Sequence, residues 1–293
     1  MNNKKPLFIA FIAMILWGLS FPLNRICLQY YPPIALAFIK YAIAGLFLVI
    51  VSFFMKARLP KWKDIPVFIL AGFIGITFYN ISLNNGLVSV TSATSSMIMA
   101  SSPIMIVLLS RLFIKEKLHT KLWIPILIQF SGVLVISLFD GVLTFNSGII
   151  WIIMATILSS LYTIIQRVLV KYQAIEIITY STIFGSIFLF IAAPDSFVIL
   201  QNAPQNQLIL VIAFAIGVVG ISTLLWGIAV RTSTSVNSVG NLLFLPPVFA
   251  TFFGAIITQE IPTIPTIVGG AIILIGSLVF NRVKKNIALA SKK

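Results

Sequence analysis

The sequence predicts an all-α integral membrane protein: ten transmembrane helices arranged as two inverted five-helix repeats. Three observations carry that prediction. Of the 293 residues, 59% are hydrophobic and 9% charged, at a mean hydropathy of +1.10, whereas a soluble domain carries roughly 25% charged residues. The apolar residues fall into ten runs of about the 20 residues needed to cross roughly 30 Å of hydrocarbon. The two halves also echo each other: Pro103 and Pro247, Glu116 and Glu260, and Gly132 and Gly276 are each 144 residues apart, and Arg25 and Arg167 are 142 apart.

Read in order, the runs lie near residues 7–27, 33–55, 65–85, 91–114, 121–139, 147–169, 174–193, 207–230, 236–258 and 264–281. The first follows the basic start of MNNKKPLFIAFIAMILWGLS, a pattern shared with signal peptides. Its length and the nine runs behind it favour a retained helix. Lys56, Arg58, Lys61 and Lys63 separate the second run from the third, and Arg111, Lys115, Lys117 and Lys121 separate the fourth from the fifth. Assigning loops to alternate sides puts these residues with Lys4, Lys5, Arg167, Lys171, Arg231 and the tail from Arg282. The other side receives only Arg25, while Lys40 falls inside a span. Cytoplasmic loops are enriched in Lys and Arg, so both termini are expected in the cytoplasm of a bacterial inner or plasma membrane.

The net charge of +14 therefore reports orientation in lipid, and no nucleic-acid partner is expected. A single cysteine, Cys27, excludes an intramolecular disulfide, and a single histidine, His119, excludes a clustered His/Cys metal site. No cofactor is expected. The expected partners are membrane lipid and a small-molecule metabolite, with the chain a monomer or weak homo-oligomer.

Five is an odd number, so a helix that starts inside in residues 1–143 has a counterpart that starts outside in residues 144–293. The halves are then inverted copies related by a pseudo-two-fold axis in the membrane plane. Such halves can exchange roles between outward-open and inward-open arrangements, with a site at their interface near mid-membrane. Proline removes a backbone donor and frees a carbonyl that lipid cannot satisfy. Pro103 and Pro247 therefore mark the expected site, or else kink their helices for packing.

MILWGLSFPLNRICL in the first helix, the glutamates of KEKL and QEIP, the late glycines of SGVLV and IGSLV, and the inverted duplication resemble the EamA group of the drug/metabolite transporter superfamily. The resemblance spans nearly the whole chain. It implies a ten-helix inverted repeat, a central cavity lined largely by helices one, three, four, six, eight and nine, and export of amino acids or related metabolites. Pro125 departs from the group's pattern, which often has glycine there; Gly269 and Gly270 keep it in the second half. That leaves close packing of the first half in question.

Helical spacing selects the polar faces. Trp17, Ser20 and Asn24 share a face of helix one, and Thr77, Asn80 and Asn84 share one of helix three beside Tyr79. Helix four offers Ser92, Ser95, Met99 and Ser102 with Pro103. Helix six offers Ser159, Tyr162 and Gln166, helix eight Thr223 and Trp226, and helix nine Asn237, Asn241 and Pro247. These are the candidate substrate-binding residues. The competing explanation is interhelical hydrogen bonding, worth about 0.6 kcal/mol per bond in membranes. Trp17, Tyr79, Tyr162 and Trp226 would give aromatic walls suited to an amphipathic metabolite.

Four charges form a second set. Lys40 lies about 10 Å deep at 1.5 Å per residue, where it either snorkels to the surface or acts on an anionic group or a loop acid. Arg25 runs against the charge bias and is assigned to the outer gate. Glu116 and Glu260 precede helices five and ten, where an acid favours the positive end of the helix dipole, so they are read as caps or gate-side anchors.

The six acids, Asp64, Glu116, Asp140, Glu176, Asp195 and Glu260, all fall in loops or at helix ends, which disfavours an enzyme and a proton relay of the usual kind. Facilitated movement or exchange is the expected energetics. A channel, and a carrier of drugs or other amphipathic molecules, are the remaining alternatives. A carrier of cationic drugs would be expected to hold an acid in its cavity.

Overall fold

The computed structural model describes residues 4–113, 119–139, 146–233 and 241–290, and all its regular elements there are helical. Among the described residues, eight helices are long and apolar enough to cross a membrane: Lys5–Leu28, Pro33–Phe54, Trp62–Ser89, Ser92–Phe113, Ser147–Val168, Ala174–Ala192, Gln205–Val230 and Ile264–Ile287. Two shorter apolar helices, Thr120–Ile136 and Leu242–Ile257, occupy the fifth and ninth positions. In chain order these ten are called helices one to ten below.

The helices begin and end where backbone chemistry requires. Helix two opens with Pro33 at its first position, where a missing N–H costs nothing. Asn146 caps helix six by accepting from the Gly148 N–H at 2.9 Å. Gln173 and Glu176 form a reciprocal capping box on helix seven. Helix ten runs on to Ala290, well past its apolar part. A short helix, Ser196–Gln201, lies between helices seven and eight.

Interior irregularities are matched between the halves. Helix three carries a π-helical stretch at Phe73–Phe78, and helix eight carries one at Phe214–Ile221. Helix four is broken into Ser92–Met99 and Ser102–Phe113. Helix nine is a 3₁₀ turn, Asn241–Phe244, followed by Pro246–Ile257. Pro103 and Pro247 are each the second residue of the segment after the irregularity.

Packing follows the same exchange. Helix one lies on helices eight and nine, and helix six lies on helices three and four; helix two pairs with seven, four with nine and five with ten. Replacing every helix by the one five positions away leaves this pattern unchanged, as a two-fold relation between halves requires. Large apolar side chains such as Leu46, Phe53, Ile191 and Leu278 are exposed on the perimeter, where hydrocarbon would surround them. With no hydrophobic drive between helices in lipid, small residues that admit close backbones hold such bundles. Helices five and ten show this: a Cβ on Gly132 would lie 2.6 Å from the Gly269 carbonyl, and one on Gly269 would lie 2.7 Å from the Gly132 carbonyl. Pro125 sits in the first turn of helix five, and Gly132 makes the first half's close approach instead.

At the end of the bundle where helices three and seven begin, the halves are tied by hydrogen bonds. Glu176 accepts from the N–H groups of Arg58 and Gln173, both at 2.7 Å. Lys171 and the Tyr172 hydroxyl donate to Asp64 at 2.8 and 2.5 Å.

Candidate functional site

The face of helix one that carries Trp17, Ser20 and Asn24 turns toward helices two and eight. The Trp17 and Trp226 rings meet at 5.4 Å with a 46° tilt. One stretch further along, by about 10 Å at 1.5 Å per residue, Asn24 is buried and reaches Lys40. The Lys40 Nζ donates to Asn24 Oδ1 at 2.8 Å, and Asn24 Nδ2 donates to the Ser20 carbonyl at 2.9 Å. Lys40 is 2% exposed, so it does not snorkel to the surface. Its ammonium stands 4.9 Å from the centre of the Phe214 ring, which opens the π-helical stretch of helix eight, and 5.6 Å from that of Tyr41. Among the described residues no carboxylate pairs with it. Burying an ammonium costs several kcal/mol even after relaxation, and one amide and two ring faces offset only part of that.

A second group gathers around helix three. Tyr41, Tyr79 and Tyr162 are half-buried there, and the buried Asn80 donates to the Ile76 carbonyl at 2.8 Å. The Tyr162 ring packs against Gly75 inside the π-helical stretch, in a place that any Cβ there would fill. Tyr79 and Met99 pack together on the apolar cluster that contains Leu83, Ile98 and Ile152. Tyr41 and Phe214 were not selected by helical spacing. Tyr41 sits in a helix that is apolar on nearly every side, and Phe214 is one of 24 phenylalanines, so neither stood out before its neighbours were known.

The remaining candidates divide. Thr77 donates to the Gly185 carbonyl at 2.9 Å and Asn84 to the Pro33 carbonyl at 2.8 Å, so both tie helices together. Ser95 is fully buried. The break in helix four interrupts the face on which Ser102 was expected to continue Ser92, Ser95 and Met99. Ser102 donates to the Met99 carbonyl at 2.5 Å and Ser101 to Ile98 at 2.7 Å, while Ser160 of helix six reaches the Ser102 carbonyl at 3.3 Å. The Ser102 hydroxyl thus takes up the Met99 carbonyl, whose helical partner would have been the N–H that Pro103 lacks. Pro247 is buried, and the Asn241 backbone opens the 3₁₀ turn of helix nine. Asn237 and Glu116, and the side chain of Asn241, lie outside the described residues.

At the end of the bundle opposite Asp64, Arg25 meets two other chain segments. It donates to the carbonyls of Leu87 and Val90 at the end of helix three, at 3.2 and 2.5 Å, and forms an ion pair with Glu260. Glu260 in turn accepts from the Ser92 N–H at 2.7 Å. The acid expected at the start of helix ten therefore caps helix four instead, because the loop before helix ten brings it there.

Comparison with known proteins agrees with this architecture. The EamA-like transporter family matches residues 4–138 and again residues 146–282. The uncharacterized transporter YdfC of Bacillus subtilis strain 168 is 31% identical over 92% of this chain and 89% of its own. A probable terminal-alkyne amino-acid exporter of Streptantibioticus cattleyicolor is 25% identical over 96% of this chain and 95% of its own. A crystal structure covering 98% of this chain and 99% of its own superposes with a TM-score of 0.66 at 18% identity, a likeness of fold. Two matches that together span both halves, on helices whose packing exchanges between those halves, place the chain in the EamA-like transporter family.

Proposed function

We propose that this transporter is a secondary carrier that exports amino acids or related small metabolites by alternating access. Its ten helices would all span the membrane of the cell, as two inverted repeats with both termini cytoplasmic. The observation that carries the reading is the pairing of irregularities: π-helical stretches in helices three and eight, and interrupted helices four and nine. Broken helices at corresponding positions of two halves are where such carriers bind substrate, and π-helical turns concentrate at functional sites. The site lies between the Trp17–Trp226 pair, Lys40 with Asn24, and the Tyr41, Tyr79 and Tyr162 group. In this orientation Arg25 and Glu260 close the outer end, and Asp64, Lys171 and Glu176 tie the inner one.

A carrier of amphipathic drugs is the second reading, favoured by the aromatic walls. The buried ammonium weighs against cationic drugs. Movement down a metabolite gradient or exchange remains the proposed energetics, since no described acid lies in the middle of a span.

Thermal stability of the purified protein across a panel of amino acids, metabolites and drugs tests the reading. A ligand present at 100 times its Kd stabilises by about 2.7 kcal/mol. Amino acids should raise the melting temperature and exchange across proteoliposomes. Stabilisation by cationic drugs alone would overturn the assignment, and uphill accumulation driven by acidifying one side would overturn the energetics.

A further inference from the structure

An ammonium has three N–H donors, and the structure accounts for one of those on Lys40, in the bond to Asn24 at 2.8 Å. Phe214 and Tyr41 present ring faces at 4.9 and 5.6 Å. Ring faces attract a cation but do not take an N–H as a carboxylate oxygen does. The described acids are elsewhere: Asp64 and Glu176 at one end of the bundle, Glu260 at the other, and Asp195 just before the short helix between helices seven and eight. A buried cation without a counter-charge is poised for an anion that arrives with a ligand.

We propose that Lys40 and Asn24 form an anion subsite that receives the carboxylate of the transported molecule. This rests on the transporter reading and narrows its substrate class to small carboxylate-bearing molecules, α-amino acids foremost. The two remaining N–H groups of Lys40 meet the carboxylate, and Asn24 holds the ammonium in place through its own bond to Ser20. The ligand brings the counter-charge that no described residue gives Lys40, so binding removes an electrostatic cost the empty protein bears.

The test compares neutral L-amino acids with their decarboxylated amines and their methyl esters, by thermal stabilisation of purified protein and by counterflow in proteoliposomes. Amino acids should stabilise the wild type, and amines and esters should not. Lys40→Met should weaken amino-acid binding at least tenfold, with Lys40→Arg retaining part of it. Asn24→Asp should raise the melting temperature of the unliganded protein, because it supplies the missing charge, and should abolish the response to amino acids. Asn24→Leu should leave that melting temperature no higher than wild type and should weaken the response to amino acids, since the ammonium loses the group that positions it.

Amines or esters that bind as well as the acids would overturn the subsite, as would Lys40→Met binding acids within twofold of wild type or Asn24→Asp melting no higher than Asn24→Leu. Sodium chloride that stabilises as strongly as amino acids, through Lys40, would make this a site for inorganic anions and overturn the substrate assignment. Counterflow of amines alone leaves the transporter reading standing and removes the subsite. Lys40-dependent binding of acids without any counterflow does the reverse.

Discussion

Arg25 joins the ends of helices one and three to the loop before helix ten, and through Glu260 to the start of helix four. The guanidinium fork makes this possible, because it sends donors in fixed directions to several acceptors at once. Glu260 is mostly buried, with a side chain 10% exposed, so removing its partner leaves a carboxylate poorly solvated. Arg25→Ala is expected to lower stability by about 1.5–3 kcal/mol, the range for hydrogen bonds to charged groups, and to impair transport while the protein still inserts. Melting of the purified mutant and uptake normalised to inserted protein check both parts. Normal transport by a fully inserted mutant would remove Arg25 from the gate. At this scale the sequence was legible in part: the charge bias singled out Arg25, and the hydropathy singled out Lys40. Neither named Glu260 or Asn24 as the partner.

Helices five and ten show what an element contributes through what it lacks. The Gly132 and Gly269 backbones approach so closely that a Cβ on either would fall within 2.7 Å of the other's carbonyl oxygen. Gly132→Val should cost about 1–3 kcal/mol, the usual range for overpacking, seen as a lower melting temperature with helical content retained. An unchanged melting temperature would show that the two helices can part without loss. The helices themselves followed from apolar runs, with three differences, one being that helix nine is interrupted between Phe244 and Pro246. Helix four is broken within its predicted run, because the Ser101-Ser102-Pro103 sequence lets hydroxyls and a proline end one segment and start another. Helix ten continues to Ala290, because its polar tail can go on satisfying its backbone bonds beyond the apolar stretch. The π-helical stretches left no mark in hydropathy, since they alter backbone winding and not composition.

For the molecule as a whole, orientation rests on the distribution of Lys and Arg between the two ends of the bundle. Cys27 is the only cysteine and is fully buried, so a Cys27→Ala protein is a background for single cysteines. Lys5→Cys and Lys285→Cys should react with a membrane-impermeant maleimide only after the cytoplasmic face is opened, and Tyr30→Cys should react in intact cells. Labelling in the opposite sense would invert the assignment of gates but not the packing of the halves. Membrane class, the positions of the apolar helices and the duplication were legible in the sequence alone, because hydropathy adds up residue by residue and a repeat is visible at a nearly constant offset. Which polar groups meet was decided only by the tertiary structure. Lys40 and Asn24 lie on different helices, and Arg25 and Glu260 lie in different halves. Whether such side chains touch depends on helix rotation, breaks and close glycine contacts, which set distances between elements and leave no periodic signal within one.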